Sequence, residues 1–223
     1  MCEHYPYIPR AFLDFSSERL TDACAEIGHE TVYSRINESF QKCCVATRLD
    51  PDQLLVALSF DPRNQDKYNF QSMFGVMRTA VTLHNKGFVN ITPLPARPER
   101  KEADLLASKG SVLFAVEVFR ANEDEWRVPG SNFEDYIARR YLRDKKAQLD
   151  ATIAAHRCVY AILAVVFDSG SKHFLATEDL EAAMQPAFAA MGSPAATHLL
   201  LFTGLQGSSG PEDEVFFYPS LPD

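Results

Sequence analysis

Two carboxylates stand out among the residues that could do chemistry. Glu117 lies in the middle of an apolar segment, Ser111 to Phe119, where strict alternation puts it on one face with Leu113, Ala115 and Phe119. Asp104 lies in the preceding segment, Glu102 to Ala107, which also reads as a strand. Ser108-Lys109-Gly110 reads as the tight turn of a hairpin between them. A carboxylate on an apolar strand is costly to bury unpaired. Two carboxylates brought together across a hairpin repel each other unless a cation lies between them. Oxygen donors of this kind suit Mg2+ or Mn2+. A basic run follows, Arg139, Arg140, Arg143, Lys145 and Lys146, with Asp144 inside it, so residues 139–146 carry a local charge of +4. Lys145 can share a helix face with Gln148 and with Tyr141 one turn earlier. The other chemistry-bearing residues form no pattern. The six histidines are scattered, and His84 and His156 fall at helix ends, where a dipole role is the plainer reading. The five cysteines include one vicinal pair and no C-x-x-C, so they read as reduced thiols rather than a disulfide frame or zinc site. There is no phosphate-binding glycine loop and no G-x-S-x-G.

The elements that must position these groups follow from periodicity. Helices are predicted over Ser17 to Ile27, with Leu20, Cys24 and Ile27 inward, over Val32 to Arg48, and over Gln53 to Leu58 after an Asp50-Pro51 start. Asp61 to Asp66 reads as a linker. A further helix, Phe70 to His84, is stopped by Asn85-Lys86-Gly87, and a strand follows over Phe88 to Leu94. After the hairpin, Asn132 caps one long helix, Phe133 to His156. Cys158 to Phe167 is apolar throughout, as a central strand covered on both faces would be. A helix over Glu178 to Met191, bent or shortened at Pro186, and strands at Thr197 to Thr203 and Val215 to Tyr218 complete the order. The remainder, including the Ala121 to Ser131 segment with Trp126 and the Gly204 to Glu214 stretch, reads as loop. The whole predicts an α/β protein with a mixed central β-sheet flanked by helices.

At the hairpin the chain resembles a family. The helix ending Asn-Lys-Gly-Phe, the strand after it, and Ala103-Asp104 followed by Glu117-Val118-Phe119 resemble the core of the restriction-endonuclease-like PD-(D/E)xK superfamily over roughly residues 68–205. The resemblance implies that Asp104 and Glu117 bind a divalent metal, Mg2+ or Mn2+, and that a lysine helps orient the attacking water. Ala103 stands at the usual proline and Phe119 at the usual lysine; Arg120 is next door but alternates to the opposite face. In some members the basic residue moves to the following helix, which makes Lys145 the replacement. The implied catalytic set is Asp104, Glu117 and Lys145, with Arg139, Arg140, Arg143 and Lys146 as a nucleic-acid-binding stripe. The implied division is an N-terminal helical extension, residues 1–66, packed on a nuclease-like core, residues 67–223. Its role is either to cover the sheet or to form a homodimer contact through Phe12, Phe15 and Phe40.

Composition bounds these readings. The chain has 223 residues, 46% apolar and 23% charged, with a net charge of −8. That disfavours a protein coated along its whole surface by nucleic acid, but not a local basic stripe. The opening Met-Cys-Glu-His-Tyr-Pro is not a secretory signal, and the longest strongly apolar run is ten residues, half a membrane span, so a cytoplasmic location without membrane contact is expected. Two functions are therefore expected from different classes: a metal-dependent hydrolase cleaving phosphodiesters in nucleic acid, or a catalytically inactive protein of the same fold acting as a binding or assembly module.

Overall fold

The computed structural model describes residues 4–13, 15, 18–61, 63–64, 67–95, 101–121, 132–167, 177–202 and 215–222. The loops expected at 122–131 and 204–214 lie outside these residues, as does much of the linker at 61–66. Five helices come first: α1 (Arg10–Leu13), α2 (Glu18–Ile27), α3 (His29–Thr47), α4 (Pro51–Ala57) and α5 (Lys67–Asn85). Strands β1 (Val89–Pro93), β2 (Leu105–Lys109) and β3 (Val112–Ala121) follow. Next come α6 (Phe133–Arg140), a π-helical turn (Tyr141–Lys145), α7 (Lys146–His156), β4 (Tyr160–Phe167), α8 (Thr177–Ala190), β5 (Thr197–Phe202) and β6 (Val215–Tyr218).

The six strands form one mixed sheet in chain order. β1, β2 and β3 pair antiparallel, β4 and β5 add parallel to β3, and β6 closes the far edge antiparallel. The parallel β3–β4 and β4–β5 pairs need crossovers, which α6–α7 and α8 supply. Side-chain alternation on β3 divides the interior in two. Phe114, Val116 and Val118 point into a core shared with α1 to α5. Ala115, Phe119 and Ala121 point into a second core built with α6, α7 and α8. β4 is covered on both sides in the same way, which explains why its sequence shows no alternation.

Local chemistry sets several boundaries as expected. Asp50 accepts the Gln53 amide at 2.8 Å in a reciprocal capping box, and Asn132 accepts the Asp135 amide at 2.7 Å. Three expectations need correction. Ile27 is 41% exposed rather than inward, because it ends α2 and Gly28, at φ 86°, turns the chain away there. α8 runs through Pro186. Phe12, Phe15 and Phe40 are not free for a homodimer contact: all three are buried within the chain, in an aromatic cluster with Phe60, Phe70 and Phe74. They close α1 and α3 over α5 and the sheet. On that side Gly75 of α5 lies close to the sheet: a Cβ there would lie 3.0 Å from Val166 Cγ2 and 3.7 Å from Val118 Cγ1. No helix among the described residues is long and apolar enough to cross a membrane.

Candidate active site

Glu117 is fixed by its strand. Its neighbours on β3 alternate between the two cores, and its own side chain falls on the α6–α7 side, 1% exposed. Asp104 is fixed differently. The strand expected from Glu102 begins only at Leu105, and Asp104 stands in a bend just before it. The reason is local: Asp104 Oδ2 accepts the Val118 amide N–H at 2.8 Å, so a side chain takes the donor that a continuing backbone ladder would have used. The Asp104 carbonyl meanwhile accepts the Leu94 amide at 2.8 Å, tying the bend to the end of β1.

Lys145 arrives from the crossover. The helix expected as one α-helical rod from Phe133 to His156 carries a π turn at Tyr141–Lys145, in which the Lys146 amide reaches back to the Tyr141 carbonyl. The sequence spacing explains it. Phe133, Ile137, Tyr141 and Leu149 are buried, and Lys145, half-covered, falls in the same series of four-residue steps. A regular helix turns about 100° per residue, so each four-residue step drifts about 40° and the series would wind about 160° off the sheet. One π turn absorbs an extra residue and returns the stripe to the core. It also ends at Lys145.

Asp104, Glu117 and Lys145 thereby meet. Lys145 Nζ donates to Glu117 Oε1 at 2.5 Å and to Gln148 Oε1 at 3.3 Å. Burial pushes the Glu117 carboxyl up to about 8, and the neighbouring Asp104 adds to the shift while Lys145 opposes it. Burial also raises the Asp104 carboxyl above the ordinary carboxylate range, against the pull of the Val118 amide and Lys145. The ammonium thus contacts Glu117 and acts on Asp104 only through its charge, the Asp104 backbone amide also favours the charged form of Glu117, and Glu117 Oε2 is buried with no hydrogen-bond partner. Among the described residues no third His, Cys, Asp or Glu joins the pair in a metal-binding group. Beside Asp104 lies a small cavity of about 50 Å³, otherwise lined by Ala57 at the end of α4, Leu58 and Ser59 after it, Val76 of α5 and Leu94.

The remaining residues singled out by sequence lie apart from this cluster. Phe119 packs edge-on against Tyr136, ring centroids 6.1 Å apart, with the Arg140 guanidinium 5.9 Å over its face. Arg120 alternates to the side of Val118. Along the basic stripe, Arg143 and Arg140 lie 2.9 and 3.8 Å from Asp144, and Lys146 lies 2.5 Å from Asp150. Arg139 is exposed. Helix α7 adds contacts that pattern reading does not single out. Thr152 Oγ1 accepts the Ala103 amide at 2.7 Å, Gln148 Nε2 donates to the Glu102 carbonyl at 3.4 Å, and His156 Nε2 lies 3.4 Å from Glu102 Oε1. The available signal was the spacing of Lys145, Gln148, Thr152 and His156, one face of one helix. No family model, curated protein or solved structure matches the chain, so its likeness to known proteins adds nothing to what this geometry says.

Proposed function

We propose that the chain is a restriction-endonuclease-like, metal-dependent phosphodiesterase acting on nucleic acid, with Asp104, Glu117 and Lys145 as its catalytic residues. The observation that carries this reading is the Lys145–Glu117 contact with Asp104 as the neighbouring acid, and with Glu117 Oε2 buried and unpartnered there. A buried carboxylate oxygen without a donor is what a cation-binding pair presents before its cation. The antiparallel β1–β2–β3 unit followed by parallel β4 and β5 supports the fold assignment.

Asp104 and Glu117 would hold Mg2+ or Mn2+. When bound, such an ion supplies Lewis acidity, lowering the pKa of a water and screening phosphate charge. Lys145 stands in for the lysine replaced by Phe119. Its ammonium, shared between Glu117 and Gln148, can orient a water and hold positive charge where the phosphate gains negative charge. Gln148 fixes the ammonium without neutralising it. The half-exposed Arg140 and the exposed Arg139, Arg143 and Lys146 would track phosphates by charge alone.

The test is cleavage of single- and double-stranded DNA and RNA with Mg2+ or Mn2+. Asp104→Ala and Lys145→Ala should each lower the rate by about 100-fold or more, as loss of an electrostatic catalytic group does. Arg139→Ala should change it only a few-fold. Cleavage that survives Asp104→Ala would refute the assignment. One observation favours the second reading, an inactive assembly module: the Lys145–Glu117 contact already neutralises one acid, so the cluster can serve as an internal ion pair. Absence of cleavage on every substrate, with no change in stability on adding Mn2+, would select it.

A further inference from the structure

We propose that Thr152, with Gln148 one turn before it, is the positioning residue of the acid pair: α7 grips the backbone at 102–103 and thereby sets where the Asp104 carboxylate stands relative to Lys145.

Thr152 is fully buried in mid-helix, and both functions of its hydroxyl are used. It accepts the Ala103 amide at 2.7 Å across 49 residues of chain and donates to the Gln148 carbonyl at 2.8 Å. Gln148 in turn donates through Nε2 to the Glu102 carbonyl and accepts Lys145 Nζ through Oε1. One helix thus holds the residue before Asp104, the residue before that, and the ammonium that contacts Glu117. The grip falls where regular pairing stops, since β2 begins only at Leu105. Residues 101–103 have no strand ladder to define them, and the Thr152 hydroxyl takes over the amide that a ladder would have used. The carboxylate end is defined by the Val118 amide, at 2.8 Å from Asp104 Oδ2. Asp104 is therefore held at three points, its incoming backbone by α7, its carbonyl by the Leu94 amide and its side chain by β3, and of these only the α7 grip acts on the segment before it. Ala103, in the position before the acid, is itself 1% exposed and packs in the second core, so the segment has little room to relax.

Val118 supplies a reporter, because its amide protection depends on the Asp104 carboxylate staying in place. Amide hydrogen exchange by NMR is the experiment, on Thr152→Val, Thr152→Ser and Gln148→Met in the full chain. Valine keeps the shape of threonine and removes the hydroxyl; serine restores it. In Thr152→Val the Val118 amide should exchange at least tenfold faster while Val116 keeps its protection, and Thr152→Ser should return Val118 to within about twofold of the parent. Leu149→Val, which trims the same helix without touching the grip, should leave Val118 unchanged. A folded Thr152→Val with parental exchange at Val118 overturns the proposal, as does a Thr152→Ser variant that behaves like valine. Gln148→Met, at a partly exposed site, decides the matter if Thr152→Val does not fold: it should also accelerate Val118, and parental exchange there counts against the grip. A second arm rests on the metal reading above. Mn2+ affinity, measured by calorimetry, should fall about tenfold in Thr152→Val and recover in Thr152→Ser, the usual scale for a residue behind a metal ligand. If the parent binds no Mn2+, the metal reading fails, and the Val118 measurement still decides the grip.

Discussion

Glu117 is the residue on which the behaviour of the site turns. In the unfolded chain its carboxyl loses a proton near 4.5, and in the folded protein near 8. Between those values the native state holds a proton that the unfolded state has released. The group therefore contributes stability that is whole below about 4.5 and is lost as pH rises through about 8, and the raised Asp104 acts in the same direction. Thermal unfolding from pH 5 to 9 should show stability falling with a slope of at most about 1.4 kcal/mol per pH unit for one proton. Glu117→Gln, which is neutral throughout, should flatten that part of the curve. Lys145→Met should push the Glu117 carboxyl up further, because Lys145 opposes its shift, so the destabilisation should be small at pH 5 and grow as pH rises above 8. A Glu117→Gln profile that keeps the parental slope would show that other groups set it. The acid pair was legible in the sequence because a lone charge in an alternating apolar strand is conspicuous. Thr152 was not, because a threonine inside a helix carries no mark until its partner, 49 residues away, is known.

At the scale of elements, the π turn matters most. It is written in the buried series 133, 137, 141, 149, whose four-residue steps a regular helix cannot keep on one side. Apolar residues at roughly helical spacing predict a helix, but only the accumulated drift shows that the helix must be interrupted. Leu142 lies in the turn and is 56% exposed. Deleting it should regularise the helix, keep both flanking faces packed, and lower stability by no more than about 1–2 kcal/mol, since no core contact is removed. It should also move Lys145 along the helix and away from Glu117. The expected result is a folded protein, by near-ultraviolet circular dichroism and melting, in which the proposed nucleic-acid cleavage falls about as far as in Lys145→Ala. A deletion variant with parental activity would detach the π turn from the chemistry. Other elements were easier to read. Asp50 and Asn132 announce helix starts through their own side-chain bonds, and the unbroken apolar run of β4 announces a strand covered twice. The start of β2 was misplaced because Asp104 substitutes its side chain for the ladder, a choice periodicity does not record.

At the scale of the molecule, the helices before residue 67 are part of the interior. Phe12, Phe40 and Leu54 are fully buried, and their core continues without a break through Met77 of α5 to Phe114 and Val116 of β3. Residues 67–223 alone would keep only α5 on that face of the sheet, would expose the apolar side that α5 and β1 turn toward α1 to α4, and should not form a cooperative fold. They should bind a hydrophobic dye and lose near-ultraviolet dichroism. Phe12→Ala in the full chain should cost about 3–5 kcal/mol in urea unfolding. A cooperative melt of the shortened chain would show instead that the sheet stands without its cover. The sequence indicated that these helices precede the sheet. Which face they cover follows only from the pairing of strands distant in the chain.

Gly75 links that cover to the acids. The missing methyl group lets α5 settle against Val166 of β4, 3.0 Å from where a Cβ would stand, and against Val118 of β3 at an ordinary 3.7 Å, and the amide of the same Val118 donates to Asp104. β3 thus carries α5 against the Val118 side chain and the Asp104 carboxylate on the Val118 amide, with the tightest contact of Gly75 falling on the next strand, β4. Bulk added at Gly75 would press first on Val166, in the strand paired with the one that carries Glu117, so a helix position on the far face of the sheet is constrained by the same packing that holds the acid's strand.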